Sequence, residues 1–332
     1  MQYSILYACA GSSLASLMDT IMPLSRRTAF VLALSVCVVL VGLPAHATDR
    51  VKVVTSFSIL GDLVKQVGGD RIEVTTLVGP NGDAHVFSPS PAVAAKVKAA
   101  QIIFMNGLGL EGWMERFVKA SGTKAPLVVT STGVETRTGG DAVHDEPKGN
   151  SKGPAEHRLD PHAWQNVANV KVYVTNIREA LAKADPGGQE AYEANAQRYL
   201  AELDALDAEV KAAMAKVPAD RRRIITTHDA LGYFAAAYGM QIIAPQSVST
   251  ESEASAQDVA RIIRQIKAQG IPAVFIENVS DDRLIQQIAR ETGARIGGKI
   301  YSDALSEPGG PAGTYADMMR NNIRAFSAAL TN

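Results

Sequence analysis

The chain has 332 residues, 46% of them hydrophobic, which is enough for one large folded domain or two modest ones. Its formal net charge of -1 excludes the broad basic surface of a typical nucleic-acid-binding protein, so we expect no nucleic-acid partner. Both cysteines, Cys9 and Cys37, precede residue 48, so the later chain can form neither a disulfide nor a thiolate metal site.

The first 47 residues have the pattern of a secretory signal peptide. Two arginines precede an apolar run, and Ala45-His46-Ala47 forms a small-residue cleavage site. Translation starting at Met22 would give the usual short charged lead. Val36 stands directly before Cys37, where lipid attachment needs a small residue, so we expect no lipid anchor. These features predict a periplasmic protein.

Strands and helices alternate along the remaining chain in two blocks. This order predicts an α/β fold in which helices cover a parallel sheet in each block. The predicted strands are Val51–Ser56, Ile72–Val78, Gln101–Met105 and Leu127–Thr130 in the first block, and Arg223–Thr227, Gln241–Ala244, Ala273–Glu277 and Arg295–Tyr301 in the second.

One long helix is predicted between the two blocks, from Gln189 to Val217. It contains neither Gly nor Pro, and at ~1.5 Å per residue it would span roughly 40 Å. One face carries apolar residues three and four apart: Tyr192, Ala196, Tyr199, Leu203, Leu206, Val210, Ala213 and Val217. An ordinary surface helix or a coiled-coil seam between two chains would share this pattern. The position between the blocks favours a strut that joins two lobes.

These features predict the domain organisation. The signal peptide is followed by an N-terminal βα lobe at 48–186, the linking helix at 187–217 and a C-terminal βα lobe at 218–332. Within the first lobe, residues 136–159 are rich in Gly, Ser, Lys and acidic residues and poor in large apolar ones. Such a composition cannot bury enough surface to become ordered, so it predicts a mobile surface loop.

Four polar residues follow predicted strands: His85, His162, His228 and Asp303. The carboxyl ends of parallel strands face the ligand crevice, so these side chains can meet there. Three imidazoles and a carboxylate suit zinc, whereas calcium and magnesium prefer oxygen ligands. Each residue also has an ordinary alternative role. His85 can be a solvated loop histidine, and His162 can start a helix that Asp160 caps. His228 can be a buried core histidine, and Asp303 can cap a turn.

Glu277 ends the third predicted strand of the second block, beside the same crevice. Two roles remain open for its carboxylate. It can accept a hydrogen bond from a ligand imidazole and so support the metal site from behind. Alternatively, it lies in solvent and pairs with Arg283.

Four motifs surround the candidate ligands and a fifth lies near the C terminus: Gly82-Asp83-Ala84-His85-Val86-Phe87-Ser88-Pro89-Ser90-Pro91, Leu159-Asp160-Pro161-His162-Ala163-Trp164, Thr227-His228-Asp229-Ala230-Leu231-Gly232-Tyr233-Phe234, Tyr301-Ser302-Asp303-Ala304-Leu305 and Tyr315-Ala316-Asp317-Met318-Met319-Arg320-Asn321-Asn322. They resemble the solute-binding proteins of zinc and manganese ABC importers, the cluster A-I family, over nearly the whole mature chain. The resemblance implies two lobes joined by a long helix, with His85, His162, His228 and Asp303 as metal ligands.

The resemblance also bears on the identity of the metal. Family members that bind zinc usually have His at the third ligand position and manganese members often have Glu, so His228 favours Zn²⁺. Many zinc members carry a strongly His-rich loop, whereas this loop has only His144 and His157. Some have a disulfide in the second lobe, which this chain cannot form. These two departures leave Mn²⁺ open.

The function that the resemblance implies is periplasmic high-affinity zinc binding and delivery of the metal to an ABC permease at the inner membrane. We expect a monomer that is not an enzyme, with a zinc metallochaperone as a further partner. One alternative is a manganese-delivering member of the same family. A zinc metallohydrolase would need an open coordination position and a general base, and the sequence has no H-E-x-x-H motif. A siderophore binder would need a cleft lined by arginines or aromatic residues.

Overall fold

The computed structural model of the protein describes residues 49–139 and 159–331. The predicted signal peptide, Cys37 and most of the predicted mobile loop lie outside these ranges, and the predictions for them stay predictions. Within the described ranges no helix is both long and apolar enough to cross a bilayer.

The first sheet is built from strands β1 (Val51–Phe57), β2 (Ile72–Val78), β3 (Ile102–Met105) and β4 (Leu127–Val129), with helices α1 (Ser58–Gly68), α2 (Pro91–Ala99) and α3 (Met114–Ser121) between them. All neighbouring strands run parallel, in the order β2-β1-β3-β4. Val53 in the central strand pairs with Val74 on one side and Ile102 on the other.

Two long helices follow the first sheet. Helix α4 spans Val167–Ala184, with Asn166 as its cap, and helix α5 spans Gln189–Ala215. Helix α5 buries Tyr192, Ala196, Tyr199, Leu203, Leu206, Val210 and Met214. The predicted apolar stripe is therefore confirmed except at its last turn, where Met214 is buried in place of Ala213, which is half-buried.

The second sheet repeats the topology of the first. Its strands are β5 (Arg223–Ile225), β6 (Gln241–Ile243), β7 (Ala273–Glu277) and β8 (Arg295–Ile300), with helices α6 (Gly232–Tyr238), α7 (Ala256–Gln269), α8 (Arg283–Thr292) and, after the last strand, α9 (Tyr315–Leu330). The strands are parallel in the order β6-β5-β7-β8. The predicted α/β class with two parallel-sheet lobes is confirmed.

Helix α5 joins the lobes by packing against elements of both. It contacts α1 and α4 on one side and α6 and α9 on the other, all within one chain. A single hydrophobic cluster runs from Val53 in β1 through Leu203 in α5 to Phe275 in β7. The buried stripe is therefore used inside the chain, which leaves it unavailable as a coiled-coil seam. The domain boundaries themselves stay a prediction.

Strands β4, β6 and β8 end one residue earlier than predicted, and β5 ends two residues earlier. A Glu carboxylate limits β5, and another limits the start of helix α3. Strand β5 stops at Ile225 because the backbone N–H groups of Thr227 and His228 donate to Glu277 Oε1, at 2.6 and 2.9 Å. Helix α3 begins only at Met114, because Glu111 turns inward and its carboxylate accepts hydrogen bonds from the backbone N–H groups of Asn106 and Gly107.

We expect Leu203→Ala to lower the free energy of unfolding of the metal-free protein by about 2–5 kcal/mol, since Leu203 is only 1% exposed in the cluster that spans both lobes. The neighbouring Glu202→Ala is a matched control, because Glu202 is exposed and only pairs with Arg198 on the surface. That change should stay within about 0.5 kcal/mol. Urea unfolding measures both, and equal losses would contradict the strut.

Candidate metal site

The structure brings all four predicted residues to one point between the two sheets. His85 lies within the loop after β2, and His162 lies five residues before α4. His228 lies three residues after β5, and Asp303 three residues after β8. His85 is 5% exposed and the other three side chains are fully buried. Each lobe therefore contributes two of the four side chains.

The donor atoms lie close enough together to share one cation. Nε2 of His85 lies 3.3 Å from Nε2 of His162 and 3.4 Å from Asp303 Oδ2. Nε2 of His228 lies 3.0 Å from Asp303 Oδ2, and Nε2 of His162 lies 3.5 Å from Asp303 Oδ1. A tetrahedron with bonds of ~2.0–2.1 Å has edges of about 3.3–3.4 Å. One donor from each residue lies within 4.8 Å of all the others.

The chemistry of the donor set also fits a cation. Asp303 Oδ1 is buried and receives no hydrogen bond from the described residues. A buried carboxylate oxygen without a donor is costly, and a bound cation would remove that cost. The solvated-loop role does not fit His85, which is 5% exposed. His228 is a buried histidine, as its alternative role requires, but its Nε2 faces Asp303.

His162 is held from behind by Asp160, which is 1% exposed. Asp160 Oδ1 accepts from the ring Nδ1 of His162 at 2.8 Å and from its backbone N–H at 3.0 Å. Nδ1 therefore donates its proton to Asp160, which leaves Nε2 as the ring nitrogen that faces Asp303 and the other candidate donors. Asp160 does not cap the following helix, a role that Asn166 takes instead.

Glu277, which is 1% exposed, lies behind His228, where it makes a close ion-pair contact with the ring and not a well-aligned hydrogen bond. Glu277 Oε2 lies 2.6 Å from Nδ1 of His228, and Ser302 Oγ donates to the same oxygen at 2.7 Å. Arg283 pairs instead with Asp281 on the surface. Of the two roles open to Glu277, the structure therefore selects support of the imidazole and excludes the solvated ion pair.

His85 is held differently, through its backbone. Its N–H donates to Asp83 Oδ1 at 2.8 Å, and Trp113 Nε1 donates to the carbonyl of Ala84 at 2.8 Å. Thr250 of the second lobe donates to Asp83 Oδ2 at 2.6 Å. Among the described residues, no carboxylate contacts Nδ1 of His85. The loop before this imidazole is thus fastened by both lobes, although the ring has no partner behind it.

Two side chains of the first lobe hold the segment that carries Asp303. Trp164 Nε1 and Gln165 Nε2 both donate to the carbonyl oxygen of Ser302, at 2.9 and 2.7 Å. The hydroxyl of Ser302 meanwhile reaches Glu277. Sequence reasoning missed Gln165 and Ser302, and it considered Asp160 only as a helix cap. The available signal was that each of these polar residues lies within three positions of a candidate ligand in the sequence.

The buried charges shift the titration of the site. Burial opposes an imidazolium at His162, but the charge of Asp303 and the hydrogen bond to Asp160 raise the pKa of His162 to about 9. Against the same burial, Glu277 and Asp303 raise the pKa of His228 well above its usual value. Burial alone would raise the pKa of Asp303, but His228 and His162 hold it well below its usual range.

Comparison with known proteins supports a metal-transport family. The family described as "Zinc-uptake complex component A periplasmic" matches residues 53–329. The manganese-binding lipoprotein MntA of Halalkalibacterium halodurans is 33% identical over 283 residues, covering 85% of this chain and 89% of that protein. The iron-binding protein YfeA of Yersinia pestis is 32% identical over 280 residues, covering 84% and 86%.

Solved structures give the same relationship. The periplasmic zinc-binding protein TroA of Treponema pallidum superimposes with a TM-score of 0.76 at 30% identity, covering 85% of this chain and all of that one. The Mn-bound periplasmic metal-binding protein of Candidatus Liberibacter asiaticus superimposes with a TM-score of 0.74 at 29% identity, with the same coverage. Because the family match spans nearly all of residues 49–331, this chain belongs to the periplasmic zinc-uptake component A family.

Proposed function

We propose that His85, His162, His228 and Asp303 bind one Zn²⁺ as cargo for an ABC-type importer. The chain is the substrate-binding protein of such a transporter, with a metal as the substrate, and it is not an enzyme, as its family indicates. The observation that carries the ligand assignment is the convergence of three Nε2 atoms and a buried carboxylate. Four protein donors close a tetrahedral site, which argues against a metallohydrolase with its open position.

Zinc is our choice of cargo because of the donor set. Imidazole suits zinc, iron and copper, whereas manganese is better served by oxygen ligands. Manganese is the second candidate, because relatives named for manganese binding are 30–33% identical to this chain. Iron occurs in the name of a third relative. The names of the relatives therefore agree on a transition metal and differ on which one.

The protein acts outside the cytoplasm, and we propose the periplasm as its compartment. Several relatives are named lipoproteins, in contrast to our expectation that this chain has no lipid anchor. Cys37 is the residue on which the difference depends, and it lies outside the described residues. The mass of the mature protein distinguishes a lipidated cysteine from cleavage after Ala47.

We further propose that a monomer docks on the permease and that a zinc metallochaperone loads it.

The mature protein should bind one Zn²⁺ per chain, and Zn²⁺ should displace Mn²⁺ in direct competition. We expect His228→Ala to abolish tight binding, because it removes one of the four proposed metal ligands. His144→Ala is the matched control, since it removes an imidazole from the loop and leaves the four donors intact. Titration calorimetry and metal analysis of protein purified from periplasm measure these outcomes. Equal losses in the two variants, or preferential retention of manganese, would contradict the proposal.

Metal binding should release protons already at slightly alkaline pH. A pKa of about 9 at His162, and a raised pKa at His228, mean that the metal-free site holds protons which the cation must displace. Apparent affinity should therefore fall as the pH falls from about 9, by up to about tenfold per unit for each displaced proton. At an ordinary histidine, protons would compete with the metal only below a pH of about 6.5.

Calorimetry at pH 7.5 in two buffers of different ionisation enthalpy counts these protons. We expect the release of about two protons per Zn²⁺. A binding heat that does not depend on the buffer would show that both imidazoles are already neutral in the metal-free protein.

Glu277→Gln should weaken zinc binding by about 10–100-fold while the four donors stay in place, since it removes the charge behind His228. Asp62→Asn is the control, because Asp62 is a half-buried carboxylate that accepts from the backbone N–H of Tyr315, not from an imidazole. Chelator competition compares their zinc dissociation constants. An unchanged affinity in Glu277→Gln would mean that this carboxylate serves only the backbone of β5.

A further inference from the structure

Arg137 places a positive charge beside the carboxylate that holds His162. Its Nε lies 3.9 Å from Asp160 Oδ2, the oxygen that His162 does not use. Oδ2 and Nη1 of Arg137 are both buried, and neither has a hydrogen-bond partner among the described residues. The Arg137 side chain is 23% exposed and that of Asp160 is 1% exposed. An oxygen so deeply buried depends on this neighbouring charge.

The backbone fixes the two residues next to each other. The N–H of Asp160 donates to the carbonyl of Arg137 at 2.9 Å, and Thr138 pairs with Leu159 in an antiparallel bridge. Two short extended segments thus lie side by side, one with the arginine and the other with the carboxylate. The backbone alone therefore keeps Arg137 near Asp160.

The second lobe provides the surface on which the guanidinium rests. Arg137 Cζ lies 5.7 Å from the ring centroid of Tyr233, within the range of a cation–π contact, and the hydroxyl of Tyr233 contacts the backbone N–H of Arg137 at 3.2 Å. Gly232, the first residue of α6, leaves room for this contact. A Cβ added there would collide with Arg137 Nη1 and would lie 2.6 Å from Asp160 Oδ2.

We propose that Arg137 is a positioning residue for the metal, acting through Asp160 on His162, and this rests on the proposed zinc site. Its charge keeps Oδ2 of Asp160 turned away from the imidazole, so that Oδ1 remains on Nδ1 and Nε2 remains aimed at the cation. Because the guanidinium rests on α6, the orientation of His162 also depends on how closely the second lobe packs. Partners behind metal ligands typically change affinity by about 10–100-fold.

The test is a double-mutant cycle with Zn²⁺ as the probe, measured by chelator competition on the full mature chain. We expect Arg137→Gln to weaken zinc binding by about tenfold and Asp160→Asn by at least as much. In the double variant, the arginine substitution should cause no further loss. Arg137→Lys keeps the charge and should recover part of the affinity. Gly232→Ala, which displaces the guanidinium from the other lobe, should reproduce the loss seen in Arg137→Gln.

A cobalt-substituted site provides a readout that stability alone does not move. The visible spectrum of Co²⁺ in Arg137→Gln should shift in the same direction as in Asp160→Asn, because both free the ring of His162. If Arg137→Gln fails to fold, Arg137→Lys decides the matter, because the Cβ of Gly232→Ala would also lie 2.6 Å from Asp160 Oδ2.

The outcomes separate this inference from the zinc site itself. Wild-type protein that binds no zinc would overturn both. Wild-type binding with unchanged affinity in Arg137→Gln, or losses that simply add in the double variant, would overturn the role of Arg137 alone.

Discussion

The buried carboxylates of Asp160, Glu277 and Asp303 are the main constraint on the interface between the two lobes. Many contacts at this interface compensate the free-energy cost of burying them. An ionised carboxylate removed from water is strongly destabilising unless it is paired and hydrogen-bonded. Each of the three faces at least one imidazole, and two also accept backbone N–H groups. In the proposed site, the contacts that stabilise these buried carboxylates also orient the imidazoles toward the metal. Stability and metal binding therefore depend on the same pairs.

This arrangement requires that the two lobes meet closely. Trp164 and Gln165 reach from one lobe to the carbonyl of Ser302 in the other, and Ser58 accepts from the backbone N–H of Leu305 at 2.9 Å. The bonds lie on both sides of Asp303, so the segment that carries this candidate ligand is fixed by residues of the opposite lobe. Helix α5, with its buried stripe from Tyr192 to Met214, keeps the lobes at the separation at which these bonds form.

Much of the fold was predictable because its signals are local. Strands Ile72–Val78 and Ala273–Glu277 have the predicted bounds, and Ser255 and Thr314 accept the capping hydrogen bonds of α7 and α9. The four site residues could be selected because polar residues at the ends of parallel strands share one edge of a sheet. The assignment of their roles as ligands still depends on experiment.

The supporting residues could not be predicted from local patterns. The contact of Arg137 with Asp160 joins segments separated by the loop, and Gln165 meets Ser302 across 137 positions. No periodic pattern in the sequence indicates which distant residues these side chains contact. Glu277 illustrates the limit well, because its position favoured neither of two roles until the distance to His228 was known.

The candidate ligands are far apart along the chain, at positions 85, 162, 228 and 303. His85 and His162 are 77 residues apart, and His228 and Asp303 are 75 apart. In an unfolded chain these four donors are therefore not clustered, and the proposed site exists only once both sheets have formed and docked. Metal loading is then the last event of maturation. Whichever compartment hosts that final docking also determines, through its own pool of free ions, which metal the newly folded protein first encounters.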